Sequence, residues 1–386
     1  MSIKILQISA AYKPAFIYGG PTMSVAKLCE ALVLAEVDMA VLTTTANGQI
    51  ELPVKPNEVQ DVDGVAVTYY KRLTKDHTHY APALLKGLRN QLKQHNNSIV
   101  HIHAWWNLVS LLSCRLAKGK NVPVVLSPRG MLTAYTLSNR NAGPKSIIHR
   151  LIGKKLLQYC HIHVTSEKEK QDILQFIKPK SITVIPNLVE LGNFAPQKHS
   201  DMQSNTFNLL FLSRIEEKKG LEFLFRALAE LGTDWKLTLA GSGSEAYIKD
   251  LKILAQQLTI ASKINWVGQV KPEDKFELLA QHDLTALTSY NENFANVVVE
   301  SLSVGTPVLI SDQVGLADYV QEKKLGWVSN LNVASIKENL LIAFMAKQDR
   351  LRIRQVAPQQ IKEDFNPALL VQKYISLYQQ INNGRL

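Results

Sequence analysis

Residues 284–311 read LTALTSYNENFANVVVESLSVGTPVLIS. The run LTALTS (284–289) is short, apolar and threonine-rich, which is the composition of a buried strand. A polar loop follows. From 296 to 304 the apolar spacing is helical, and Gly305 marks the helix end. PVLIS (307–311) is a second short strand. Strand, helix and strand in so few residues can close only as a parallel βαβ unit. Two acids sit eight positions apart within it, Glu292 in the loop and Glu300 in the helix. Most acids in a soluble chain are solvated surface charges, so a carboxylate inside a buried-looking stretch asks for a partner. Asn296 is expected to cap the helix. The backbone N–H groups near 294–297 would then face the strand ends, a place suited to a diphosphate.

The same alternation runs outward in both directions. IKILQIS (3–9), MAVLTT (39–44), VAVTYY (65–70), SIVHIHA (98–104), VPVVLSP (122–128), IHVTS (162–166) and ITVIPN (182–187) form a first series of strands, most of them separated by helix-length segments. A polar stretch at 188–206 reads as a linker. A second series follows with FNLLFLS (207–213), WKLTLAG (235–241), KINWVG (263–268) and the opening unit. The pattern predicts an α/β chain of two doubly wound domains, 1–190 and 191–365. In the tail, apolar residues at 370, 374, 377, 378 and 381 predict a helix, 366–386, that returns to the first domain.

Composition bounds the function. The 386 residues are 46% hydrophobic and 20% charged, an ordinary globular balance. No apolar run approaches the roughly 18–20 residues needed to cross a bilayer, and the start, MSIKILQISAAY, reads as a strand rather than a signal peptide. A cytoplasmic protein is expected. Cys29, Cys114 and Cys160 show no metal or disulfide spacing and read as small buried side chains. The charge is one-sided: residues 1–190 hold 23 Lys and Arg against 12 acids, whereas 191–386 hold 21 of each. Between Asp76 and Glu167 there is no acid at all, but 12 Lys or Arg and eight of the ten histidines. Such a field attracts anions.

Doubly wound sheets bind ligands at the carboxyl ends of their strands, and several strand ends here carry special residues. Gly19-Gly20 lies between the first strand and first helix, where backbone N–H groups can approach an anion. SRIEEKKG (213–220) places Arg214 and Lys219 before a helix; a guanidinium fork and an ammonium both suit phosphate. LAGSGSE (239–245) brings Gly241 to the end of the next strand. DVDG (61–64) has the Asp-x-Asp spacing of a metal motif but precedes VAVTYY in an expected hairpin, so no metal is expected there. PKSIIHRLIGKKLLQY (144–159) mixes apolar and basic residues, as a membrane-surface helix or a helix covering the sheet would.

Taken together and in order, SRIEEKKG, LAGSG, NWVGQV, ENFANVVVES and GTPVLIS resemble the retaining glycosyltransferases of family 4. Glu292 and Glu300 match that family's E-x7-E motif, and HIHAWWN (101–107) with LSPRGML (126–132) is similar to a branch making bacterial surface polysaccharides. The resemblance implies the GT-B fold, two Rossmann-like domains facing across a cleft, with an acceptor in the first and a nucleotide-sugar in the second. It implies catalytic roles for Arg214 and Lys219 on the donor diphosphate and for Glu292 on the sugar ring. Glu300 would accept from the ribose, Phe294, Ala295 and Asn296 would line the donor with backbone groups, and Val267-Gly268 would lie near the base. Gly241 would also border the donor, and Gly19-Gly20 would face its phosphates or the acceptor. The implied reaction moves a hexose from a UDP- or GDP-linked donor to a saccharide or lipid-linked saccharide in polysaccharide or lipopolysaccharide synthesis. No metal or other cofactor is implied.

Two departures stand out. Many relatives have glycine where Ala295 stands, a change that is minor if φ there is negative. Many also have a histidine where Arg129 stands. A guanidinium cannot act as a base near pH 7, so Arg129 is expected to bind a phosphate or acceptor group, with His103 as the alternative polar contact. The basic first domain would favour an anionic inner membrane surface. A sugar-nucleotide epimerase and a non-catalytic relative share the scaffold and remain open. A nucleic-acid-binding protein would explain the charge but not the glutamate pair, and Trp105-Trp106 is the only aromatic pair amid the basic residues.

Overall fold

The computed structural model describes residues 3–132, 153–192 and 206–386. It divides into two compact units: Met1–Leu188 with Pro367–Leu386, and Val189–Asn366. The boundary between Leu188 and Val189 falls at the start of the polar stretch read as a linker; its residues 193–205 lie outside the described part.

In the first unit the strands are β1 (Lys4–Ile8), β2 (Met39–Thr44), β3 (Ala46–Asn47), β4 (Ile50–Glu51), β5 (Val59–Val62), β6 (Val65–Tyr70), β7 (Ser98–His103), β8 (Val124–Ser127), β9 (His161–Val164) and β10 (Ser181–Val184). Eight of them form one sheet in the order β10-β9-β8-β7-β1-β2-β6-β5. All neighbours are parallel except β5 and β6, a hairpin. Its turn holds Asp63 and Gly64 at φ +53° and +81°, and Asp63 accepts from Lys13 Nζ at 2.8 Å. The Asp-x-Asp spacing is thus a hairpin turn with a local cation. Strands β1, β7 and β8 are buried on both faces, so Gln7, His101, His103 and Ser127 within them must find hydrogen-bond partners inside the fold.

The sheet separates two apolar cores. One includes Ile5, Val25, Leu28 and Val41 together with Tyr374, Leu377, Tyr378 and Ile381 of the final helix, Pro367–Asn382. The expected tail helix therefore buries the face its spacing defined. The other core lies under the helices Pro82–Gln94 and Leu108–Gly119. All three cysteines are buried thiols. Of the basic segment 144–159, residues 144–152 lie outside the described part, and Lys154–Leu157 is a short helix burying Leu156 and Leu157.

In the second unit β11 (Phe207–Leu212), β12 (Trp235–Ala240), β13 (Ile264–Gly268), β14 (Leu284–Leu287), β15 (Val308–Ser311) and β16 (Gly326–Ser329) make a parallel sheet ordered β13-β12-β11-β14-β15-β16. Strand order reverses between β11 and β14. That reversal opens a crevice at the carboxyl ends of these two strands, the usual ligand position in such a sheet. In the first unit the reversal falls between β1 and β7. Among the described residues, no helix is long and apolar enough to cross a membrane.

Candidate active site

The segments leaving β11 and β14 are tied together by backbone. Tyr290 N–H donates to Lys218 O at 2.9 Å, and the Thr288 hydroxyl donates to Gly220 O at 2.9 Å. Gly220 stands at φ +63°, and a Cβ there would meet Thr288 O at 2.2 Å. Only glycine lets the loop pass this close. The result is that Lys219, at the end of a single 3-10 turn (Glu217–Lys219), reaches Glu292. Lys219 Nζ donates to Glu292 Oε1 at 2.5 Å, with side-chain exposures of 9% and 15%. The backbone of Glu292 is itself fixed: its N–H donates to Gln313 O at 3.0 Å, and its carbonyl accepts from Gly315 N–H at 2.8 Å.

The electrostatics follow from that geometry. Burial pushes the Glu292 carboxyl upward, but the charges of Lys219, Lys218 and Arg214 outweigh it and hold the group below its ordinary value. Glu292 is therefore a carboxylate at neutral pH. Burial lowers Lys218, with Lys219 and Arg214 adding repulsion against the attraction of Glu292. Arg214 is 52% exposed and pairs with Glu216 at 2.8 Å, so its guanidinium is only loosely held. Glu300 is raised by burial, with Lys275 opposing; Lys275 Nζ donates to it at 3.0 Å and stands 3.8 Å from Glu190.

The helix Asn296–Ser303 starts one residue earlier than a capping Asn296 requires. Ala295 holds the cap position at φ +67°, and Asn296 is the first helical residue. Two expectations are corrected here. Asn296 is not the cap, and the backbone at 295 is left-handed, a conformation that costs an L-residue about 1–2 kcal/mol. The chain must turn sharply between the buried Phe294, packed against Phe365 at 6.0 Å between ring centroids, and the helix. That tertiary demand overrides the intrinsic preference for Asn. The Phe294 side chain belongs to the core, so only its backbone can serve a ligand.

Gly241 (φ +149°) leaves β12 with its Cα against Ser213 O, where a Cβ would sit 1.8 Å from that oxygen. Its N–H donates to Gly268 O at 2.7 Å. Its first role is close packing of the strand extensions that carry Arg214. Gly268 (φ +71°) has open space where a Cβ would be, and Val267 is 42% exposed beside it.

Sequence reasoning missed Lys218, Lys275, Ser289 and Asn291. The Ser289 Oγ and Asn291 Oδ1 atoms are buried without a hydrogen-bond partner among the described residues, and both lie in the segment between β14 and Glu292. Buried orphans of this kind are uncommon. No sequence signal distinguishes Lys275 from a surface lysine.

In the first unit, Gly19 (φ +64°) precedes the helix Gly20–Leu34, and Phe16 and Ile17 ahead of it are exposed. His103 ends β7 and is buried. Arg129 follows β8 at φ +53°. Its Nε donates to His103 Nδ1 at 3.4 Å and its Nη1 to Asn187 Oδ1 at 3.3 Å. The two acceptor-side residues named from sequence are thus one contact pair.

The description "Glycosyltransferase Family 4" matches residues 18–193, and "Glycosyl transferases group 1" matches residues 196–360. The chain is a family 4 glycosyltransferase of the GT-B fold. Among relatives, this glycosyltransferase is 25% identical over 333 residues to the D-inositol 3-phosphate glycosyltransferase of Corynebacterium diphtheriae, covering 80% of this chain and 77% of that one. In three dimensions it resembles the sucrose-phosphate synthase of Thermosynechococcus elongatus with a TM-score of 0.79, 18% identity and 99% of each chain covered. It also resembles the Anabaena protein HepE, solved with UDP and glucose, with a TM-score of 0.73, 17% identity and coverage of 98% and 99%.

Proposed function

We propose that this glycosyltransferase moves a hexosyl group from a nucleoside-diphosphate sugar to a saccharide or lipid-linked saccharide, with retention at the anomeric carbon and without a metal ion. The observation that carries the reading is the Lys219–Glu292 pair at the strand-order reversal of the second unit, with Arg214 beside it. Lys219 and Arg214 would bind the diphosphate and stabilise the charge that develops as the glycosidic bond breaks. Their fixed positive charge supplies what a divalent cation supplies in other sugar transfers. Glu292 is held ionised, so it can accept from ring hydroxyls. Glu300, clasped by Lys275, would accept from the ribose. The N–H groups at 294–296 would line the remaining donor surface. With no carboxylate assigned as a covalent nucleophile, the proposal is attack on the same face from which the diphosphate departs, the leaving group taking the acceptor proton.

UDP is favoured as the leaving nucleotide because HepE binds it; GDP is the alternative. On the acceptor side, Arg129 would contact a phosphoryl group and Gly20 would offer its backbone N–H; that of Gly19, named with it from the sequence, is already donated to Phe16 O at 2.9 Å. The acid-free, basic stretch of the first unit suits an anionic inner membrane surface, and a polysaccharide or lipopolysaccharide pathway in the cytoplasm would supply such an acceptor. Thermal-shift measurement against UDP, GDP, ADP and their sugars tests the donor half. A ligand at 100 times its Kd adds about 2.7 kcal/mol, so one base is expected to stand out. No shift with any nucleotide would refute the donor site. Sedimentation with anionic vesicles at low and high salt tests the membrane half, and absence of binding at low salt would remove it.

A further inference from the structure

The interior of the first unit holds a row of buried polar side chains that sugar transfer does not directly use. His101, His103, His163, Gln7 and Ser127 are all essentially inaccessible, yet each is hydrogen-bonded. We propose that they form a hydrogen-bond relay of one fixed direction, and that His103 at its end is a positioning residue that aims Arg129 at a phosphoryl group. This rests on the reading of Arg129 as an acceptor-side residue.

The direction follows from the donor inventory alone. A guanidinium only donates, so His103 Nδ1, 3.4 Å from both Arg129 Nε and Nη2, must accept. A neutral imidazole then carries its proton on Nε2, which donates to Gln7 Oε1 at 2.7 Å. That fixes the Gln7 amide, whose Nε2 donates to the Tyr378 hydroxyl at 3.3 Å. Tyr378 gives its own proton to His101 Nδ1 at 2.7 Å. His101 Nε2 donates to Ser127 Oγ at 2.7 Å, and Ser127 donates to His163 Nδ1 at 2.7 Å. His163 Nε2 ends the chain on the Ile185 carbonyl at 2.9 Å, with the Tyr374 hydroxyl also within 3.0 Å. A carbonyl only accepts. The guanidinium end fixes the polarity from His103 to Tyr378, and the carbonyl end fixes it from His163 back through His101 and Tyr378; the two agree, and every intermediate group is satisfied once in each sense.

The relay explains three features at once. Burial drives all three imidazoles far towards the neutral form, His163 to about 3, so each keeps a lone pair for its donor. The C-terminal helix contributes the hydroxyl that joins β1 to β7, which makes Tyr378 part of the site's support rather than mere cover. Arg129 sits in a strained left-handed backbone, and its hydrogen-bond partners among the described residues, His103 and Asn187, are neutral. The nearby Glu169 carboxylate accepts instead from the N–H groups of Gly130 and Thr165, at 2.7 and 2.9 Å. A guanidinium oriented by neutral groups keeps its charge available for an anion.

The test reads tautomers and the Arg129 signal separately. In the whole protein labelled with 15N histidine and arginine, His101, His103 and His163 are expected as neutral Nε2–H tautomers from pH 6 to 8. The Arg129 Nε–H signal, assigned by its loss in Arg129→Lys, is expected to shift on titration with inorganic phosphate or with phosphatidylglycerol vesicles. The two arms separate a soluble phosphate ester from a lipid-borne one, and a shift in either supports the proposal. His103→Asn places an acceptor where Nδ1 was, whereas His103→Gln keeps only the donor towards Gln7. His103→Asn should hold the phosphate response within about threefold, and His103→Gln should weaken it about tenfold or more, the worth of one charge-assisted hydrogen bond. Equal loss in both variants would overturn the positioning role, because general damage to the core does not distinguish them. An Nδ1–H tautomer at any of the three histidines would overturn the relay while leaving the acceptor-side reading of Arg129 standing. Correct tautomers with no Arg129 response in either arm would refute that reading, and the positioning role with it.

Discussion

Ala295 carries a left-handed backbone, φ +67° and ψ +79°, at the start of the helix that holds Glu300. An L-residue in this region costs about 1–2 kcal/mol, and Ala295→Gly removes that cost. Two terms oppose the gain. Glycine frees the unfolded chain by about 0.4–1 kcal/mol, and a partly buried methyl forfeits roughly 0.4 kcal/mol, half the value of a fully buried methylene. The net expectation is a stabilisation of about 0.5 kcal/mol. For a unit of this size 1 kcal/mol moves Tm by about 2–4 °C, so the variant should melt about 1–2 °C higher by calorimetry. Gly268→Ala is the reverse control. Its φ is +71° with open space around it, so a backbone strain of about 1–2 kcal/mol, offset by about 0.4–1 kcal/mol from the stiffer unfolded chain, should leave a net loss of about 0.8 kcal/mol. Gly220→Ala, with the same backbone sign but Thr288 O at 2.2 Å, should lose distinctly more. A lower Tm for Ala295→Gly, or equal losses for the two glycine variants, would refute the reasoning.

Two further predictions concern the ionised groups. Lys219→Met leaves the Glu292 carboxylate without its closest cation, at a cost of about 2–3 kcal/mol near pH 7, less than for a wholly buried pair because both side chains retain some exposure. In the native protein the depressed Glu292 contributes stability that is present above its unfolded pKa and lost as pH falls through the lower folded value. In the variant burial acts unopposed by Lys219, so the deficit should shrink as pH falls from 7 to 4.5. A deficit constant with pH in urea titrations would contradict this, and Glu292→Gln in the same background should recover most of it. Glu300 is raised by burial, so its ionised form costs the fold stability at neutral pH, and that cost fades as pH falls through the raised value. Glu300→Gln should therefore leave Tm unchanged or higher while weakening nucleotide binding about tenfold by calorimetric titration; unchanged binding would remove Glu300 from the ribose.

Much of this was legible because strands buried on both faces write themselves as Val- and Ile-rich runs, and because the Gly220 and Gly305 turns punctuate the helices. Strand β16, Gly326–Ser329, went unread: it is short, partly exposed and starts with a glycine whose Cβ would meet Val308 O at 2.1 Å. The position of Asn296 misled because capping preference is local, whereas the turn at Ala295 is set by the burial of Phe294. Lys275 and the His101–Tyr378 contact were hidden for a different reason. Their partners are brought together by the folded sheet and the terminal helix, Gln7 and Tyr378 lying 371 residues apart. Arg129 and His103 were named as alternatives, since sequence does not show that one hydrogen-bonds the other.

Lys219 is proposed to stabilise the departing diphosphate at the β11–β14 crevice. The most direct test is the turnover of the nucleotide sugar picked out by thermal shift, compared between the unaltered enzyme and Lys219→Ala at a temperature where circular dichroism shows both folded. A fall of about 10²–10³-fold is expected, the worth of one preorganised charge at a developing anion. Turnover equal to that of the unaltered enzyme would contradict it.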